Sequence, residues 1–173
     1  EKYITSYTSV AFLPWDADKF IIQSQKDGYN HLYLFNTKGE MLRQLTSGNF
    51  VVYDLLGFDK ARRRAIILSA ESSPIQSNLY AVDIATGKRT LLDNGRRGVH
   101  ANIISPSGFH DRALSPDGGW IIDNYAEPTV PRNIDFINLK TDKGTRYFTA
   151  ENPWKDYAEP QISSGTIKAA DGR

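Results

Sequence analysis

Short apolar runs separated by polar turns recur along the chain, and three of them act as anchors: Phe20-Ile21-Ile22-Gln23-Ser24, Ala65-Ile66-Ile67-Leu68-Ser69 and Trp120-Ile121-Ile122-Asp123-Asn124. Each has the length and the β-branched content of a buried strand. A second run follows every anchor, first His31-Leu32-Tyr33-Leu34-Phe35-Asn36, then Asn78-Leu79-Tyr80-Ala81-Val82-Asp83, then Asn133-Ile134-Asp135-Phe136-Ile137-Asn138. A glycine turn comes next, at Gly39, Gly87 and Gly144, and after it a short strand in Arg43-Gln44-Leu45-Thr46, Thr90-Leu91-Leu92-Asp93 and Tyr147-Phe148-Thr149. Apolar strands from Val51 to Phe58 and from Phe109 to Leu114 precede the second and third anchors. The pattern predicts strands near 20–25, 31–36, 64–69, 78–83, 120–125 and 133–139, in antiparallel sheets of about four strands.

The anchors start 45 and then 55 residues apart, which is the period of a propeller blade. The expected fold class is therefore all-β, a partial β-propeller of about three four-stranded antiparallel sheets. A sandwich or barrel also places short strands between turns, but a three-fold succession of two strands, a glycine turn and a third strand favours blades. Propellers usually close with four to eight blades, so about three units imply a chain that is part of a longer one. Asp27-Gly28 and Asp117-Gly118 suit tight turns. Pro74, Pro128 and Pro131 fall in connections, Glu71 to Ser77 and Ala126 to Arg132, where no ladder donor is needed. Because the anchors are apolar on both faces, Ile67 and Ile122 are both expected to be buried between blades.

Composition narrows the functional classes. Aromatic residues make up 12% of the 173 residues, which agrees with strands. A formal net charge of +1 is too small for the footprint of a nucleic-acid binder, and the run Arg62, Arg63, Arg64 between two apolar strands reads as a solvated turn. No stretch approaches the roughly 20 apolar residues of a membrane-spanning helix. The start Glu1-Lys2-Tyr3 is neither an initiator methionine nor a signal peptide, as in a mature or cut piece. Absence of cysteine removes disulfides, thiolate metal sites and a cysteine nucleophile together.

No residue of the sequence has the setting of a catalytic group or a metal ligand, and no cofactor is expected. Neither Ser163-Ser164-Gly165 nor Ser105-Pro106-Ser107-Gly108 has the first glycine or the strand-to-helix setting of a nucleophile elbow. His31, His100 and His110 lack the spacing of a metal motif. His31 opens a strand and reads as a satisfied structural side chain, while His110 and Asp111, as neighbours on a strand, point to opposite faces. Asp16-Ala17-Asp18 begins like a calcium loop but lacks its glycine and distal glutamate.

The run Asp27-Gly28-Tyr29-Asn30-His31-Leu32-Tyr33-Leu34-Phe35, followed by Arg43-Gln44-Leu45-Thr46-Ser47-Gly48-Asn49-Phe50-Val51-Val52, resembles paired signatures of the dipeptidyl peptidase IV propeller, with Phe50 and Val51 where that family usually shows Trp and Glu. Ser69 to Pro74, Asn78-Leu79-Tyr80, Leu114 to Gly118 and Pro128 to Arg132 continue the resemblance in order. It implies that residues 1–164 are the last blades of an N-terminal propeller and that 165–173 begin the crossover to an α/β-hydrolase domain. In that family an eight-bladed propeller caps the hydrolase, and together they remove N-terminal dipeptides ending in proline or alanine. The triad would come from the hydrolase and the amine-binding glutamates from an earlier blade, both outside this chain. Tyr3 is the nearest candidate for an aromatic residue beside the second substrate subsite. The resemblance further implies a peptide substrate reached through the full-length protein, a hydrolase partner in cis, an envelope or periplasmic location, and leaves a homodimer of the longer protein open. The alternative is a non-enzymatic propeller that binds a peptide or protein partner.

Overall fold

The computed structural model describes residues 10–93, 95, 98–100, 113–127, 130–158, 161–163 and 165–171. Among these, eleven strands form three sheets. The first holds β1 (Ala11–Leu13), β2 (Asp16–Ser24), β3 (His31–Asn36) and β4 (Met41–Gln44) in that order. The second holds β5 (Val52–Asp59), β6 (Arg64–Ser69), β7 (Asn78–Asp83) and β8 (Arg89–Leu91), also in chain order. The third pairs β9 (Trp120–Glu127), β10 (Val130–Asn138) and β11 (Lys143–Thr149). All pairings within the sheets are antiparallel. Ala113 to Ser115 lie beside β9, where Leu114 bridges Ile121 and Ala113 O accepts Ile122 N–H at 2.8 Å; Phe109 to Arg112, the rest of the expected strand, lie outside the described residues.

Neighbouring sheets meet through apolar faces. Ile21, Leu32 and Leu34 of the first pack against Ala65, Ile67, Tyr80 and Val82 of the second. On its other face the second sheet sets Ile66, Leu68, Leu79 and Ala81 against Ile121, Ile137 and Leu139. The middle sheet is thus covered on both sides, which is why β6 and β7 read as continuous apolar runs and not as alternating ones.

The third unit departs from the expected correspondence by one residue. Phe20 stands opposite Phe35 and Ala65 opposite Val82, but opposite the matching Ile137 stands Ile121, not Trp120. A one-residue slip reverses every side chain. Ile121 is consequently buried against the second sheet, whereas Trp120 and Ile122 are 44% and 40% exposed on the face turned away from it. Ile122 is therefore not the buried residue that its run suggested.

Two turn expectations are also corrected. Gly39 and Gly87 occupy turns with φ of 83° and 77°, but Gly144 lies inside β11 opposite Ile137, and Asp142 takes the left-handed conformation, with φ of 55°. Aspartate tolerates this region better than most residues, and its carboxylate has a use there, described below. The connection expected over Ala126 to Arg132 is mostly strand: Val130 pairs with Glu127, and Pro131 falls where the register shifts between Val130 and Asn133. An interrupted ladder accommodates a residue with no N–H.

Gly98 to His100 stitch the second sheet to the third. Ser77 N–H donates to Gly98 O at 3.2 Å, His100 N–H to Ser77 O at 3.0 Å, and Val99 N–H to Ala126 O at 3.1 Å. Gly98 has φ of 143°, and a Cβ there would come within 2.4 Å of Ala126 O. Gly98→Ala is expected to lower stability by about 1–3 kcal/mol, the scale of a strained backbone position. Thermal unfolding of the variant checks this, and an unchanged midpoint would show that the stitch is not constrained.

Candidate functional site

A clasp between consecutive strands recurs in the first two sheets. In the first, Leu32 N–H donates to Thr46 Oγ1 at 3.0 Å and Leu45 N–H to Leu32 O at 2.8 Å. In the second, Leu79 N–H donates to Asp93 Oδ2 at 2.8 Å and Leu92 N–H to Leu79 O at 2.9 Å. The residue before each leucine joins the same acceptor: His31 Nδ1 lies 3.1 Å from Thr46 Oγ1, and Asn78 Nδ2 donates to Asp93 Oδ2 at 3.0 Å. A backbone carbonyl oxygen can only accept, so the contact with Gly48 O at 3.0 Å makes His31 Nε2 a donor. Both ring nitrogens are thus occupied, and the imidazole is fully buried and edge-on to Phe50. His31 is the structural side chain that its strand position indicated.

In the second sheet the acceptor is a carboxylate, and it recruits a histidine. His100 Nδ1 lies 2.7 Å from Asp123 Oδ2 and 3.6 Å from Asp93 Oδ2, and the imidazole stacks on Tyr125 with ring centroids 4.7 Å apart. His100, Asp93 and Asp123 are all buried. Burial pushes the Asp93 carboxyl above its ordinary range, against the opposing pull of His100 and of the N–H groups of Leu79 and Gly95. Tyr125 hands the network outward through its hydroxyl to Arg146, which also binds Asp135 and donates to Asn133 Oδ1 at 2.7 Å.

Towards the β5–β6 turn the same pair of sheets is joined by a second charged cluster. The Arg64 guanidinium donates to Asp59 Oδ2 at 2.8 and 3.0 Å, to Asp142 at 2.8 and 3.0 Å and to Leu139 O at 3.0 Å. Arg62 adds bonds to Asp142 Oδ2 at 2.8 Å and Leu139 O at 2.9 Å. The left-handed turn at Asp142 aims its carboxylate at both guanidiniums. Burial by itself would raise the Asp142 carboxyl, but the hydrogen bonds from Arg64 and Arg62 outweigh it and hold it below its usual value. The expectation of a solvated arginine turn holds for Arg63 and half-exposed Arg62 but fails for Arg64, which is 5% exposed. Its alignment as the first residue of β6 carries it into the seam.

Nothing local in the sequence marks Arg64, Asp93, His100, Asp123 and Asp142 as a set. One signal was available: Asp123 sits inside an apolar anchor, and a carboxylate in a buried strand requires a partner. Asp16 bonds Lys19 at 2.7 Å and caps Asp18 N–H. Among the described residues no group of three His, Cys, Asp or Glu could hold a metal ion. Tyr3, His110, Asp111, Ser105 to Gly108, Ser164 and Pro128 lie outside the described residues.

Antiparallel sheets stacked face to face, each following the last along the chain, define part of a β-propeller. The family described as Dipeptidyl peptidase IV (DPP IV) N-terminal region matches residues 1–132, and the chain belongs to that family. A solved structure from Bacteroides ovatus, described as a dipeptidyl aminopeptidase IV, is similar with a TM-score of 0.77 and 34% identity, covering 98% of this chain and 26% of that one. Porphyromonas gingivalis dipeptidyl peptidase 4 is similar with a TM-score of 0.66 and 30% identity, over 86% of this chain and 20% of that one. An Aspergillus flavus protein named for dipeptidyl peptidase 4 is 28% identical over 156 residues, 87% of this chain. The chain spans about a fifth of that relative's length, 19%.

Proposed function

We propose that this chain supplies wall blades of the propeller of a longer serine exopeptidase, scaffolding a C-terminal α/β-hydrolase domain and limiting access to it to extended peptides. The supporting observation is the pair of seams: the middle sheet is covered on both faces, and its second seam is clamped by the Arg64 ion pairs and by the buried contact of His100 with Asp123. Such a wall is stiff enough to exclude folded proteins from an enclosed cavity, within which desolvated polar contacts discriminate among peptides. Residues 165–173 are the start of the crossover in this reading, Tyr3 borders the cavity, and the longer protein works in the cell envelope, as the family resemblance implies.

Peptide-bond hydrolysis needs an activated nucleophile, an oriented base and oxyanion donors within reach of one another. His31 is committed to Thr46 and Gly48, and His100 is packed between two carboxylates. The chain by itself is therefore expected to leave a Gly-Pro chromogenic substrate intact, while the protein from the complete reading frame cleaves it. Turnover by the isolated chain that persists through repurification and is lost on replacing one of its own serines would overturn the proposal. Inactivity of both proteins would favour a non-enzymatic binding propeller.

A further inference from the structure

At the end of the first seam, where the β1–β2, β5–β6 and β7–β8 turns converge, lies a crevice of about 510 Å³. That volume suits a small organic ligand. Its floor is apolar, made by Leu13, Leu34 and Ile84, all nearly inaccessible. Trp15 stands in the wall, fixed by an edge-on contact with Phe58 at 5.6 Å. The lining also brings together four cations, Lys19, Arg43, Arg62 and Arg63, against two carboxylates, Asp16 and Asp83.

The cations are not equally committed. Lys19 is paired with Asp16 at 2.7 Å and Arg62 with Asp142 at 2.8 Å. Asp83 is occupied by the N–H and hydroxyl of Thr86, at 2.7 and 2.6 Å. Arg43 makes a long bond of 3.4 Å to Thr86 O, and among the described residues neither Arg43 nor Arg63 has an ion pair. Arg63 has φ of 52°, a conformation unfavourable for a residue with a Cβ. Among the described residues, then, two guanidiniums without a salt bridge border an apolar pocket with an indole in its wall, Arg63 being near enough to Asp16 to help lower its carboxyl, an arrangement complementary to an anion carried on an apolar body.

We infer that this crevice is a binding site for a small organic carboxylate with an aromatic or branched apolar body, its carboxylate held by Arg43 and Arg63 and its body seated on Leu13, Leu34 and Ile84 beside Trp15. Guanidinium pairs with carboxylate bidentately, and the apolar floor gains by being covered. All its lining residues belong to the first two sheets and their turns.

Calorimetric titration of the purified chain with N-acetyl-phenylalanine and with its C-terminal amide tests the inference. Charge-assisted hydrogen bonds make the amide bind about tenfold or more weaker, and added salt weakens the acid alone. An R43Q/R63G variant is expected to lose about tenfold or more for the acid and little for the amide. Glycine at position 63 suits the positive φ, so thermal unfolding should show this variant as stable as the parent, separating lost binding from lost folding. Equal binding of acid and amide, binding unchanged in the variant, or no heat from either probe would each overturn the site.

Discussion

Replacing Arg64 with Met is expected to lower the free energy of unfolding by about 3–5 kcal/mol, the cost of breaking a buried ion pair by removing one partner. Two carboxylates depend on this guanidinium. Asp59 is 2% exposed and would be left with the Arg62 N–H at 3.1 Å as its hydrogen-bond donor; Asp142 would keep Arg62. Leu139 O would likewise lose a donor. Most of the loss is the desolvation of charges left behind, so R64M/D59N/D142N, which removes the charges as well, should recover part of it. Urea unfolding with an unchanged dependence on denaturant is the measurement; a loss below about 1 kcal/mol, the ceiling for exposed ion pairs, would show that solvent screens the cluster. The same carboxylate sets a pH dependence. The folded Asp142 pKa lies below 3.8, so its contribution is present above the unfolded value and is lost as pH falls through the folded one. Asp142→Asn should therefore flatten the acid limb of the stability profile below about pH 4.

Ile67→Ala is expected to cost about 2–5 kcal/mol, whereas Ile122→Ala costs about 1 kcal/mol or less, although the two isoleucines sit in similar sequence runs. Ile67 is fully buried within the first seam. Truncation there removes apolar burial and leaves a cavity between two sheets, each held by its own ladder, which limits collapse into the space. Ile122 lies in β9 on the face away from the second sheet and is 40% exposed, so its truncation forfeits partial burial and creates no enclosed void. Denaturant unfolding of both variants decides the matter. Equal losses would mean that Ile122 is covered in solution, and a small loss at Ile67 would mean that the first and second sheets do not pack as described.

The strand content and the blade-like order of this chain are local properties, and for that reason they could be read along it. A period of two or a short apolar run, bounded by turn-forming residues, reports which backbone can be covered; β3 and β7 begin and end where their runs do, and β6 starts one residue before its run. His31 was legible for the same reason, since the residue opening a strand beside a Thr-containing partner has nearby groups to satisfy it. The family resemblance also depends on ordered local motifs.

What only the tertiary structure decided is which face of each strand meets which neighbour. The run Trp120-Ile121-Ile122 looks like the other anchors, yet pairing with β10 shifts its correspondence by one residue and turns Ile121, not Ile122, toward the second sheet. Side-chain direction reverses with each residue, so apolar neighbours in sequence cannot reveal it. The charged seam was hidden for a related reason: Asp142 lies 78 residues from Arg64, and His100 is 23 residues from Asp123. Composition registers such residues as balanced surface charge. Only stacking of the second sheet against the third brings them out of water, where each must be answered by a hydrogen-bonding or oppositely charged partner.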